Sequence, residues 1–346
     1  MAYISFQPSD YFNTLLYTGD GASSKAITGV GFQPDWVWIK NRADAEAHSL
    51  YDAVRGTQKP IYSNLTNAQA TETNGLSSFD SDGFTVGSSG AINGSSDGMV
   101  SWNWKANGQG SSNTDGSINT TYTSANTTSG FSIVKYTGTG SNATIGHGLG
   151  VAPSMVIVKK TSATGDWMIY HKSLGATKYI FLQSTDASGT QTSIWNDTEP
   201  TTTVFTVGTS TTVNQSGQDY IAYCFSQKSG FSSMGSYVGN GSTDGSFIYT
   251  GMSPAIIIAK KTSGTGDWFI NDIKRNTFNV VNSQLYPNLN DPEENVNATQ
   301  LDILSNGFKL KGTTSNALNS GNDTYIYLAF AESSIVSSNG VPATAR

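Results

Sequence analysis

The hydrophobic and polar positions of this 346-residue chain fall into one arrangement that recurs three times. A Pro leads an apolar run ending in Lys at Pro34-Asp35-Trp36-Val37-Trp38-Ile39-Lys40. The same run returns at Pro153-Ser154-Met155-Val156-Ile157-Val158-Lys159 and at Pro254-Ala255-Ile256-Ile257-Ile258-Ala259-Lys260. A Tyr-x-Gly element precedes each, at Tyr17-Thr18-Gly19, Tyr136-Thr137-Gly138 and Tyr237-Val238-Gly239. Each copy continues through Gly83-Phe84-Thr85-Val86, Val204-Phe205-Thr206-Val207 or Gly307-Phe308-Lys309-Leu310. It closes on Val100–Trp104, Ile221–Phe225 or Ile326–Phe330. Several landmarks in one order at near-constant offsets mark an internal repeat of about 100–120 residues, a signature that precedes any motif reading.

The closing run of the first copy puts Val100, Trp102 and Trp104 on one face and Ser101, Asn103 and Lys105 on the other. This period of two predicts a half-buried strand. The Pro-led run is apolar on both faces, which predicts a strand covered on both sides. Its Pro fits a strand start, where no ladder N–H is needed. Helical periodicity is short everywhere; Asn64 to Thr73 carries the best of it. The pattern predicts an all-β fold of three tandem β-sandwich or jelly-roll-like domains.

The expected organisation is a docking or capping segment over 1–14, then β domain 1 over 15–105. A Gly/Ser/Thr/Asn-rich linker over 106–129, with room for one edge strand, precedes β domain 2 over 130–228 and β domain 3 over 229–332. A loose tail over 333–346 ends the chain. Units of this size bury enough surface to fold alone, so tandem independent domains are expected. The polar stretch Pro287 to Ala298 reads as a protruding loop of the third.

Composition narrows the function. Charged residues are 13% of the chain, aromatics 11%, and Gly occupies 37 positions. That mixture suits short strands and polar turns rather than disorder. A net charge of −6 without a basic run argues against nucleic acid as partner. The N-terminus has no signal-peptide pattern and no stretch has the length of a membrane helix, so synthesis in a cytoplasm without membrane insertion is expected. Cys224, the single cysteine, reads as a small buried side chain.

Catalytic constellations are thin. His48 and His171 read as matching places in the first two units, and His147 sits in a Gly-rich turn, so the three histidines do not converge on one centre. No G-x-S-x-G elbow occurs. Asp166, Asp197 and Glu199 are the carboxylates a glycosidase pair would draw on. Asp80-Ser81-Asp82-Gly83 is half of a calcium loop without its distal Glu. The repeated Asp166-Trp167 and Asp267-Trp268 pairs are the one ligand-stacking candidate. The alternative is a turn Asp beside a core Trp, and it carries more weight. No cofactor or metal is called for.

Longer motifs resemble a known group. Phe6-Gln7-Pro8-Ser9-Asp10-Tyr11-Phe12-Asn13-Thr14, Gly29 to Arg42, Tyr51-Asp52-Ala53-Val54-Arg55-Gly56, Phe79 to Phe84 and Gly146 to Pro153 resemble virion proteins of marine and cyanobacterial tailed phages. The likeness runs from about residue 3 to residue 332. It implies a non-enzymatic structural protein on the virion surface. A tail-associated fibre or spike-like protein for host attachment is expected first, a capsid decoration or head fibre protein second, and a polysaccharide depolymerase last. Implied partners are other tail or capsid proteins, host surface glycans and, by analogy with other fibres, two further copies in a homotrimer.

Overall fold

The computed structural model describes residues 6–295, 301–311, 317–333, 335–336 and 342–343. The fold is all-β. The first unit runs β1 (Phe12–Thr18), β2 (Lys25–Thr28), β3 (Trp36–Asn41), β4 (Ser49–Asp52), β5 (Gly56–Tyr62), β6 (Leu76–Asp80), β7 (Gly83–Val86) and β8 (Gly98–Trp104). The second runs β9 (Tyr122–Asn126), β10 (Phe131–Thr137), β11 (Ala143–Gly146), β12 (Met155–Lys160), β13 (Trp167–His171), β14 (Lys178–Phe181), β15 (Gly189–Thr190), β16 (Val204–Val207) and β17 (Asp219–Phe225). The third runs β18 (Ser232–Val238), β19 (Phe247–Tyr249), β20 (Ile256–Lys261), β21 (Trp268–Asp272), β22 (Ser283–Gln284), β23 (Glu294–Asn295), β24 (Leu301–Leu304), β25 (Gly307–Leu310) and β26 (Thr324–Phe330).

Each unit is sandwich-like. A main antiparallel sheet, ordered β1-β8-β3-β4, β10-β17-β12-β13 or β18-β26-β20-β21 at its centre, faces a small sheet built on β2-β7, β11-β16 or β19-β25. Between the sheets lies a private core, such as Val37, Ile39, Phe84 and Val86 in the first unit. The opposite faces of all three main sheets meet in one shared core. Trp36, Trp38 and Trp104 of the first unit, Ile157 and Phe225 of the second and Ile258 and Phe330 of the third all belong to it. Trp36 packs on Trp104 and on Tyr223, each with ring centroids 4.5 Å apart. Phe225 and Phe330 meet edge-on at 5.8 Å. The double-faced apolar run of β3 is thereby explained: odd and even positions enter different cores, and all six residues are buried.

Three expectations need correction. The units do not sit as separate neighbours, because large aromatic side chains such as Trp36, Tyr223 and Phe330 lie in a core held in common. The closing strand β8 is not half-buried: Ser101 and Asn103 are fully buried on its second face. Asn103 Nδ2 donates to Asn13 O and to Ser101 Oγ, each at 3.1 Å, which satisfies the amide nitrogen away from water. Residues 287–295 do not protrude. They lie across the first unit, where Glu293 N donates to Arg42 O and Asn290 Nδ2 to Ala45 O.

The linker contains the one edge strand for which its sequence left room. It supplies β9, which adds to the outer edge of β10, and Ile118 N donates to Thr144 O beside β11. Asn64 to Thr73 contains no helix. The 1–14 segment divides: Phe6 and Tyr11 pack edge-on against Phe231, while Phe12–Thr14 already belong to β1. Residues 1–5, 296–298 and most of 334–346 lie outside the described residues.

The Tyr-x-Gly element has a mechanical reason. The phenols of Tyr17, Tyr136 and Tyr237 donate to the carbonyls of Ile92, Val213 and Leu318. The next residues, Asn93, Asn214 and Asn319, accept from the loop that follows the Gly. A Cβ at Gly138 would stand 2.4 Å from Gln215 O, so close approach fixes the glycine.

Candidate functional site

The three units close into a ring with three junctions, and buried charged residues cross each unit boundary there or stand beside it. Strand register shows which positions correspond. Trp36, Met155 and Ile256 pair with Asp52, His171 and Asp272. Lys159 and Lys260 pair with Trp167 and Trp268, the place that His48 occupies in the first unit by the same register. His48 and His171 are therefore not counterparts, contrary to the sequence reading; they stand four positions apart in one repeat. The sequence comparison missed this because Ser and Leu follow both histidines nearby.

At the first junction Asp52 is fully buried and bonds Arg55 Nε at 2.5 Å. Its Oδ2 also accepts from the Tyr223 phenol of the second unit at 2.7 Å. At the third junction Asp272 bonds Arg275 Nε at 2.6 Å, and Trp102 Nε1 of the first unit donates to it at 3.1 Å. Arg275 also reaches Glu293, which binds Arg42 across the junction at 2.6 Å. Tyr223 and Trp102 occupy the same closing-strand position, as does Leu328. At the second junction the acid is His171, the arginine is Leu174 and the donor is Leu328. His171 Nε2 instead meets Tyr327 O at 3.3 Å. Acid and donor are present together or absent together, as burial of an unpaired carboxylate requires. The recurrence of Asp-x-x-Arg at 52–55 and 272–275 was the sequence signal for this pairing.

Three lysines recur at one strand position, and two of them bond across junctions. Lys40, Lys159 and Lys260 are each fully buried, and burial pushes each ammonium down to about 8. Lys159 Nζ donates to Gly165 O of its own hairpin and to Thr66 O of the preceding unit. Lys260 repeats this with Gly266 O and Thr185 O.

Trp167 and Trp268 do not offer a stacking face. Both rings are buried in the shared core, and their indole N–H groups donate to Tyr62 O and to Phe181 O of the preceding unit. Asp166 and Asp267 hold Gln183 and Asn288, whose amide oxygens accept from the N–H of Trp167 and Trp268. The core-Trp alternative is the one the structure contains.

The remaining candidates are hydrogen-bonded within the fold. Glu199 accepts from the Tyr170 phenol and from Ala176 N, whereas Asp197 accepts from Thr192 Oγ1. Asp82 accepts from Gly29 N and Gly31 N, and Asp80 from Thr85 Oγ1. Among the described residues no three His, Cys, Asp or Glu side chains are grouped to hold a metal ion. Nor is any helix long and apolar enough to cross a membrane. His147 is buried with Leu149 N on its Nδ1, and burial lowers its imidazole. Cys224 is buried, and its thiol is pushed up to about 12 by that burial.

What stands open is a cleft of ≈ 390 Å³ at the second junction, where the Asp–Arg pair is missing. Exposed apolar side chains gather on the third unit, with Val238 54%, Phe247 47%, Tyr249 67% and Phe278 81% exposed.

Residues 7–334 match the model of a family described as Domain of unknown function (DUF7483). The chain belongs to that family. No curated protein matches it. In this DUF7483 member the buried carboxylates Asp52 and Asp272 bond across the junctions between units.

Proposed function

We propose that this protein is a non-enzymatic structural component of a phage particle, a tail-associated fibre or spike-like protein that presents β units for host-surface adhesion. One observation carries the reading. The candidate polar groups are hydrogen-bonded within the units or across the junctions, while Val238, Phe247, Tyr249 and Phe278 are presented to solvent on one unit. Apolar exposure of this extent on one unit suits a surface that meets other macromolecules. The phage-like sequence motifs supply the particle. Host glycans and fellow virion proteins are the partners proposed with it, and sedimentation equilibrium tests the homotrimer.

Gold-labelled antibody on intact virions tests the reading directly. Label at the tail supports it, and label on no particle sinks it. Capsid decoration is the second reading, favoured by the closed ring: three units around one core make a knob rather than an extended string. Label over the head selects that reading.

A further inference from the structure

The cleft at the second junction leaves open a position that is filled at the other two junctions. It is lined by Ser173, Leu174 and Lys178 of the second unit and by Ser236, Val238 and Thr262 of the third, among others. It runs beside β18, whose only described strand neighbour is β26; Ser232 N bonds Lys228 O at one end and Val238 O accepts from Ser246 Oγ at the other, which leaves the stretch around Ser236 as the open edge.

Register identifies what fills the matching space elsewhere. Lys135 on β10 and Ser236 on β18 correspond, since they pair with Ile221 and Ile326. In the second unit β9 lies along the outer edge of β10 and places Tyr122 opposite Lys135. Tyr122 packs against the shared core there, next to the junction that Arg55 also fills. At the third junction Arg42, Glu293 and Arg275 occupy the space. At the second, Leu174 is too short to do what Arg55 does. The connection from β17 to β18 is Ser226–Phe231, a tight turn closed by Phe231 N to Lys228 O, too short to lay a strand on β18. An edge strand with unpaired N–H and C=O groups is a template for strand addition.

We propose that β18 and this cleft accept, in trans, an extended polypeptide strand from a partner protein. That strand is uncharged and Ser/Thr-rich, pairs antiparallel with β18 and sets one aromatic side chain into the cleft. Its main chain completes the ladder as β9 does on β10. Its ring packs on Leu174 and Val238, and the hydroxyls of Ser173 and Ser236 meet a phenol. The inference stands on the internal comparison of the junctions and does not require the virion reading.

The chain's own β9 sequence is the natural probe. A fluorescein-labelled peptide of residues 119–128 is titrated into the full-length protein and followed by anisotropy. Saturable binding is expected, weakened at least about tenfold when the peptide's Tyr is Ala, in line with loss of a buried aromatic anchor. Ser236→Trp, which fills the cleft from an exposed position, is expected to abolish binding with the thermal transition unchanged. Should that variant not fold, Val238→Glu at the cleft rim carries the same expectation. Absence of binding at millimolar peptide overturns the proposal, as does binding that survives these variants, which places the peptide elsewhere. Displacement of the peptide by a free monosaccharide also overturns it, assigning the cleft to carbohydrate.

Discussion

Tyr223 of the second unit donates its phenolic hydrogen to the buried carboxylate of Asp52 in the first, at 2.7 Å. The bond crosses 171 residues of sequence and joins two groups that are each fully buried. Burial and the neighbouring Asp52 charge hold the phenol well above its ordinary range, so it acts as a fixed donor. Tyr223→Phe is expected to lower stability by about 1–3 kcal/mol, the typical loss when a buried charged acceptor forfeits a donor. Urea denaturation measures it; an unchanged midpoint means the bond contributes nothing net.

The third junction tests the charge pairing. Asp272→Asn leaves Arg275 buried with Glu293 alone and is expected to destabilise by about 3 kcal/mol. Adding Arg275→Leu, the residue type that the second unit carries at this place, should recover part of the loss. Strict additivity of the two effects, measured in a double-mutant cycle, would falsify the coupling.

Close approach makes a separate forecast. Gly138→Ala puts a methyl group 2.4 Å from Gln215 O, which real side chains do not tolerate. A loss of about 2 kcal/mol or more is expected, in the range of backbone-strain substitutions. Gly217→Ala is the comparison, since its Cβ meets nothing within 4 Å but its φ of +72° is itself strained. The Gly138 variant should be the less stable of the two.

Acid should weaken the ring. Burial pushes the His171 imidazole down to about 4, with Lys172 adding to the effect and the Tyr327 carbonyl opposing it. Burial also holds His48 far down, with Lys40 and Arg275 adding to it. A depressed histidine takes its proton more readily in the unfolded chain. Its contribution is therefore complete above about pH 6.5 and lost as the pH falls toward 4. Each such group changes stability by about 1.4 kcal/mol per pH unit within that window. Denaturation midpoints at pH 7, 6 and 5 measure the slope, which His171→Gln should flatten; a wild-type midpoint that does not move rejects the assignment.

A shared core implies shared unfolding. The full chain is expected to melt in one transition, whereas an isolated third unit spanning 229–332 exposes Ile256, Ile258, Trp268 and Leu328 and should lack a cooperative melt. Calorimetry on both distinguishes the ring from a string of domains. A sharp transition in the isolated unit contradicts it.

The sequence by itself determined the strands, the repeat and the turn chemistry. Alternation places side chains on two faces wherever a strand forms, a strand-leading Pro needs no ladder N–H, and Tyr-x-Gly recurs because one phenol and one missing Cβ make the same loop closure three times. The repeated Asp-x-x-Arg at 52–55 and 272–275 was legible too, once hairpin register aligned it. Only the tertiary structure decided what each face meets. Ser101 and Asn103 look solvent-facing in β8 and are buried, because a period of two names two faces without saying what covers the second. Trp167 and Trp268 read first as core residues and second as a sugar platform, but only ring closure shows that they lie beneath the preceding unit. The ring depends on contacts between residues more than 100 positions apart, such as Asp52 with Tyr223 and Trp102 with Asp272. No local pattern encodes such pairs, because each partner is chosen by burial of the other.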